Sequence, residues 1–181
     1  MSKQSQQALD LSETMLIALR RVIRAVDLHS RSLVQSHGLT GPQSLLLRAT
    51  IAAGGPTPGE LARRLSLSQA TVTDIVKRLE ARGLLRRRRD EVDRRRVVVT
   101  ATAEGEALNR SAPPLLQEKF VRRFESLRDW EQTLLVASLQ RIAELMDAED
   151  LDAAPMLTSG AVAAPAETYA TATVEKEESG D

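Results

Sequence analysis

Cysteine is absent from the 181 residues, which removes disulfide frameworks, thiolate nucleophiles, thiol redox sensing and cysteine-ligated zinc together. Histidine is nearly absent: His29 and His37 are the two present, too sparse for an imidazole-centred catalytic or metal site. His29 reads as a polar contact on a helix face. No enzyme, cofactor or metal is expected. Aromatic residues are as scarce, with one Trp, one Tyr and two Phe. No apolar run approaches the ~18 residues of a membrane span, and the polar start Met1 to Gln7 lacks the basic-then-apolar layout of a secretory signal. A soluble cytoplasmic protein with no membrane partner is the expectation, and the length suits one compact core with helical extensions.

Net charge is lacking too, since 25 Lys+Arg oppose 25 Asp+Glu. The balance hides an asymmetry. Residues 1–38 carry 5 basic and 3 acidic side chains, residues 39–110 carry 14 and 8, and residues 111–181 carry 6 and 14. A basic middle offset by an acidic end is the electrostatic footprint of a nucleic-acid partner.

From Leu9 to Val34 apolar residues recur at Leu16, Leu19, Ile23, Val26 and Leu33, in steps near three and four that predict one long amphipathic helix. It exceeds what a small domain needs for its own core, so part of it is expected to face a partner subunit. Gly38 stops it, and Thr40 with Pro42 opens a second helix through Leu45, Leu46, Leu47 and Ile51. Thr57-Pro58-Gly59-Glu60 has the residues of a capping box ahead of Leu61, Ala62 and Leu65. After the turn Leu65-Ser66-Leu67, Ser68 caps a helix through Val72, Ile75, Val76 and Leu79 that ends at Gly83. Two short helices joined by a tight turn spell helix-turn-helix. Leu84 to Arg87 and Val97 to Thr100 then read as a hairpin around the polar stretch Arg88 to Arg96. The fold class is mainly α with a small β-hairpin wing: a winged helix-turn-helix with N- and C-terminal dimerisation helices.

Helical pattern resumes at Thr102 and runs to Leu127, with a kink or break expected near Ala112 where Pro113-Pro114 interrupts it. Asp129 and Gln132 are expected to cap a last helix bearing Leu135, Leu139, Ile142 and Leu145. The domains are therefore 1–38 for N-terminal dimerisation, 39–101 for DNA binding, 102–150 for linking and dimerisation, and 151–181 as a disordered acidic tail poor in core formers.

In a helix-turn-helix the second helix enters the major groove and its first residues reach base edges. Here these are Ser68, Gln69, Ala70, Thr71, Thr73 and Asp74. Gln69 suits paired hydrogen bonds to adenine, while Ala70 and the threonine methyls suit a thymine methyl. Lys77 and Arg78, deeper along the helix, suit phosphate. The competing reading is a capped surface helix that packs on protein alone. Arg86 to Arg89 and Arg94 to Arg96 bracket Asp90, Glu91, Val92 and Asp93, and crowding seven guanidiniums into one hairpin calls for an anion. Arg86, Arg88, Arg94, Arg95 and Arg96 are the candidates, with arginine inserted into the minor groove. A solvated loop neutralised by its own three acids is the alternative. Asp93 reads as an internal brace that accepts from a neighbouring arginine.

Six strings occur in order: Leu39-Thr40 with Gln43, Pro58-Gly59-Glu60-Leu61-Ala62, Ser68-Gln69-Ala70-Thr71-Val72-Thr73, Leu79-Glu80-Ala81-Arg82-Gly83-Leu84, Asp93-Arg94-Arg95 and Thr102-Ala103-Glu104-Gly105. Together they resemble the MarR family of transcriptional regulators over about Leu9 to Met146. The resemblance implies a homodimer built from the terminal helices, a recognition helix starting at Ser68 and minor-groove insertion by Arg94 or Arg95. Ala101, where the family usually has Leu, and Pro113-Pro114 depart from its pattern. The stretch from Val26-Asp27-Leu28-His29-Ser30-Arg31 to Gln43 further resembles a subgroup tied to ectoine-type compatible-solute synthesis genes. The family also implies a small, often aromatic or anionic effector, for which Leu28, Arg31, Leu33, Leu45, Arg48 and Leu116 are the matching positions; packing accounts for the leucines equally well.

The functional expectation is a dimeric, sequence-specific repressor on a palindromic double-stranded DNA operator, with a small ligand or ionic conditions as the two candidate controls. A winged-helix module for protein assembly is the alternative, disfavoured by the basic wing and the few aromatics. An enzyme carrying a winged helix is disfavoured further, since Gly54-Gly55-Pro56 lacks the Lys-Ser/Thr of a phosphate loop.

Overall fold

The computed structural model describes residues 3–91, 93–151 and 156–159, with side chains from residue 10 onward. Its contacts divide the chain into two units, residues 1–40 with 158–181 and residues 41–157.

In the first unit, α1 (Lys3–His37) is a continuous 35-residue helix that Gly38 ends in the left-handed region at φ 62°. Leu11, Met15, Leu16, Val22 and Ile23 are exposed on it, whereas Ser30 and Leu33 are buried. The Ser30 hydroxyl donates to the Val26 carbonyl at 2.8 Å and accepts the Ser159 backbone N–H at 3.1 Å, so residues 158 and 159 lie against this helix. Residues 152–155 and 160–181, where the acidic tail is expected to be disordered, lie outside the described residues.

The second unit holds α2 (Gly41–Ala53), α3 (Pro58–Leu65), α4 (Gln69–Ala81), β1 (Leu85–Arg89), β2 (Val97–Ala101), α5 (Ala103–Ser111), α6 (Leu116–Glu125) and α7 (Asp129–Leu145). Its core is aliphatic: Leu46 and Leu47 of α2, Leu61 of α3, Val72, Ile75, Val76 and Leu79 of α4, and Leu85, Val98 and Val99 of the hairpin are all buried. The capping box forms as its residues predict. Thr57 Oγ1 accepts the Glu60 N–H at 3.2 Å and Glu60 Oε2 accepts the Thr57 N–H at 2.7 Å. Ser66 turns the chain in the left-handed region at φ 51°, after which Ser68 Oγ accepts the Thr71 N–H at 3.0 Å and starts α4.

β1 and β2 pair antiparallel with Leu85 opposite Ala101 and Arg89 opposite Val97. The ladder therefore takes in Arg88 and Arg89, which the sequence assigns to the loop. In Leu-Arg-Arg-Arg-Arg only Leu85 is buried, so this strand carries no alternation to read; its partner Val97 to Ala101 holds it in register. The other edge of β2 is covered at one point, where the Val99 N–H donates to the Pro56 carbonyl at 2.8 Å.

Thr102 ends the hairpin and caps α5, accepting the Gly105 N–H at 3.0 Å while its hydroxyl donates to the Gly83 carbonyl at 2.7 Å. This draws α5 onto the start of β1 so closely that a Cβ at Gly105 would overlap the Leu84 carbonyl oxygen, with Leu47 Cδ1 at 3.4 Å. Gly105→Ala is accordingly expected to destabilise the fold by about 2 kcal/mol or more, overpacking against backbone outweighing the roughly 1 kcal/mol by which alanine is the better helix former. Urea unfolding measures this, and a stabilised variant would contradict the close approach.

The Pro113-Pro114 interruption is a complete break. α5 ends at Ser111, Ala112 is extended at φ −71°, ψ 137°, and α6 starts only at Leu116, as expected where a residue precedes proline and two successive positions offer no N–H. Glu118 supplies the new start by accepting the Leu115 N–H at 3.0 Å. The cap of α7 falls at Arg128 rather than at Asp129 or Gln132: the Glu131 carboxylate accepts the Arg128 N–H at 3.1 Å, and Gln132 Nε2 instead donates to the Leu127 carbonyl. Hydrogen bonds from Arg128, side chain and backbone, hold the Glu131 carboxyl below the usual range. No residue of α7 is buried, and Leu134, Leu135, Val136, Leu139 and Leu145 stand exposed. Among the described residues no helix is long and apolar enough to cross a membrane.

Candidate nucleic-acid interface

The core face of α4 fixes what its opposite face presents. With Val72, Ile75, Val76 and Leu79 turned inward, Gln69, Ala70, Thr73, Asp74 and Lys77 are exposed, while Thr71 and Arg78 are half-buried. None of the exposed large apolar side chains belongs to α4. Not all of its polar groups are equally available. Ser68 is the cap and also meets the Thr71 hydroxyl at 2.8 Å, and Thr73 Oγ1 donates back to the Gln69 carbonyl at 2.7 Å. The Gln69 amide, the Ala70 and Thr73 methyls and the Asp74 carboxylate are what this turn offers outward.

The wing is braced at both walls by carboxylates from the helices. Glu80 of α4 accepts Arg87 three times, from the backbone N–H at 3.1 Å, from Nε at 2.9 Å and from a terminal nitrogen at 2.6 Å. Those hydrogen bonds, side chain first, hold the Glu80 carboxyl below the usual glutamate range and raise Arg87. Glu60 divides its oxygens, one on Thr57 for the cap and the other on Arg96 at 2.8 Å. The Thr57 hydrogen bonds first, and the Arg96 charge after them, hold its carboxyl low. Both braces thus stay ionised through the neutral range. Arg88 pairs with Glu91 at 2.6 Å, and Arg86 Nε donates to Thr100 at 3.3 Å. Asp93 is a brace, through backbone: its carboxylate accepts the Arg95 N–H at 3.0 Å, and its carbonyl accepts the Arg96 N–H at 2.9 Å. At the turn itself Arg94 and Arg95 are exposed, and among the described residues neither side chain has a salt-bridge partner. Among the described residues the hairpin thus presents two guanidiniums without a salt-bridge partner beside braced strands.

A family model for the MarR family matches residues 37–96, from the end of α1 to the wing. Transcriptional regulator HosA of Escherichia coli O157:H7 is 34% identical over 107 residues, covering 58% of this chain and 77% of that protein. The chain belongs to the MarR family. It is accordingly a DNA-binding transcriptional regulator and not an enzyme. The homoprotocatechuate degradative operon repressor of Escherichia coli is 25% identical over 137 residues, 76% of this chain and 88% of that one. Among solved structures, Bordetella bronchiseptica BpsR, whose DNA binding is regulated by 6-hydroxynicotinic acid, is 28% identical with a TM-score of 0.51, covering 70% of this chain and 91% of that one.

Of the effector positions that MarR resemblance implies, Leu45 and Arg48 line one groove of about 550 Å³ whose other wall is Pro114, Leu115, Gln117, Glu118, Val121 and Arg122. Leu116, half-buried, is not among its lining residues; the Pro-Pro break starts α6 so that Leu115 is turned into it instead. Arg48 closes the corner between α5 and α6, donating to the Pro113 carbonyl at 2.7 Å and pairing with Glu118 at 3.1 Å. Its Nε is buried with no hydrogen-bond partner among the described residues. On α1, Leu28 is exposed, Leu33 is buried and Arg31 pairs with Asp27 at 3.1 Å. Sequence reading missed the Glu60 and Glu80 braces and the α6 wall. Glu60 is legible as a cap, but its second partner lies 36 residues away and no local pattern announces it.

Proposed function

We propose that this MarR-family chain is a homodimeric repressor that reads an inverted-repeat operator, with α4 in the major groove and the wing tip in the minor groove. The observation that carries the reading is the outward face of α4, polar and free of large apolar groups, beside a hairpin that leaves Arg94 and Arg95 without a salt-bridge partner among the described residues. Ser68, Gln69, Ala70, Thr71, Thr73 and Asp74 form the reading end; Lys77, Arg78, Arg86, Arg88 and Arg96 serve the phosphates. Residues 39–101 act as the reader and 102–150 as the linking and dimerising part, with 1–38 contributing the other dimer helix. Exposed leucines along α1 and α7 support the dimer, and likeness to the homoprotocatechuate operon repressor supports repression. The effector is a small aromatic anion held in the α2–α6 groove, where Arg48 and Arg122 meet Leu45 and Val121; the regulation of BpsR by an aromatic carboxylate supports this class. The target genes implied by the resemblance around Val26 to Gln43 are those of compatible-solute synthesis, tested by whether deleting the gene releases them without raised salt.

Gln69→Ala tests the reading directly. It is expected to weaken binding to an operator recovered from a random-sequence pool by about 1–3 kcal/mol while leaving binding to random duplex nearly unchanged. Equal losses on both would show that this amide does not read bases.

A further inference from the structure

A second, polar cleft of about 520 Å³ opens between α3 and the wing, with Glu60, Arg63, Arg64, Asp90 and Arg96 on its walls. We propose that it seats one phosphodiester group of the DNA backbone in each protomer, with Arg63 and Arg64 as the cations that hold it. The inference rests on the DNA-binding reading above and adds two residues that reading does not use.

Three guanidiniums share the cleft with two carboxylates, and both carboxylates are already engaged by the protein. Glu60 serves Thr57 and Arg96, and Asp90 Oδ1 accepts the Asp93 N–H at 3.3 Å. Arg63 and Arg64 are exposed and have no salt bridge among the described residues. Cations in the last turn of a helix are ordinary; what sets this pair apart is where the cleft lies. The Arg63 guanidinium and the Gln69 amide converge above Gly59, where an added Cβ would stand 4.0 Å from the one and 3.3 Å from the other. Arg63 therefore adjoins the reading end of α4. The opposite wall is Arg96, next in sequence to Arg94 and Arg95. One wall, on α3, thus adjoins the proposed reader of a major groove, and the other lies next to the proposed reader of the neighbouring minor groove. Between two adjacent grooves runs a single phosphate strand, and a cationic cleft between the two readers lies across its path. The polar lining suits an ionic oxygen and offers little to an aromatic ring.

The test is Arg63→Ala with Arg64→Ala in the full chain, on the operator that wild type recovers from a random-sequence pool. Both side chains are exposed, and an unchanged urea midpoint serves as the check on folding. Neutralising one phosphate per protomer contributes about 0.9 to the slope of log affinity against log salt. The variant slope is expected to be smaller by about two for a dimer, with affinity falling by a similar factor on operator and random DNA. Replacing operator phosphates singly by methylphosphonate is expected to weaken wild type at one position per half-site, between the α4 and wing contacts, and to leave the variant indifferent there. An unchanged slope, or a variant still sensitive at that position, overturns the inference while Gln69→Ala continues to report on base reading. Wild type that recovers no sequence overturns both.

Discussion

Replacing Arg94 and Arg95 together by alanine is expected to collapse DNA affinity on every sequence and to flatten its salt dependence. The two side chains stand on a turn whose backbone is held by Asp93, and no carboxylate among the described residues neutralises them. Among the described residues their charge therefore has no partner inside the protein. A dimer loses four cations in the double variant, so the slope of log affinity against log salt should fall by up to about three to four. Because the braces to Glu60 and Glu80 do not involve these residues, the hairpin should keep its shape, and the loss should be electrostatic. Binding isotherms over a salt series decide the matter. Lower affinity with an unchanged slope would mean that the arginines shape the wing and do not meet DNA.

Leu135→Lys with Leu139→Lys is expected to turn the protein into a monomer that still folds. The two side chains are 44% and 58% exposed, and no residue of α7 is buried, so the change removes little packing from the chain itself. In a dimer, covering the exposed half of each leucine is worth about 1 kcal/mol, and a lysine in its place brings a charge that resists desolvation. Sedimentation should show the monomer at micromolar concentration. Operator affinity should drop by about 10²–10⁴-fold, because the second half-site is no longer delivered by the first; half-sites one helical turn apart, about 34 Å, are what two linked readers match. A variant that stays dimeric with full affinity would remove α7 from the interface.

What the sequence made legible was local. Thr57 with Glu60, Ser68 with Thr71 and Thr102 with Gly105 are pairs three residues apart, and each forms as the spacing demands. The start of the recognition helix and its core face follow from such pairs, and so does the winged class. Arg88 and Arg89 escaped because a strand of arginines takes its register from the neighbouring valines. Pro113-Pro114 announced an interruption, but its size depends on Arg48 and Glu118 receiving the freed ends, a contact 70 residues apart in sequence. The ligand groove was half legible for the same reason: Leu45 and Arg48 sit on a periodic helix, whereas the opposite wall is set by where α6 restarts.

Glu60 and Glu80 each answer to two elements, Glu60 to the start of α3 and the side of the hairpin, Glu80 to α4 and both the backbone and side chain of Arg87. A hairpin pinned to α3 and α4 at two points is expected to move with them as one block. In the repressor proposed above, an effector would therefore not act by loosening the wing while leaving the recognition helix in place. In the proposed homodimer the coordinate left to an effector is the distance and tilt between the two blocks, and the operator would serve as a ruler, released when the gap no longer matches the pitch of the double helix.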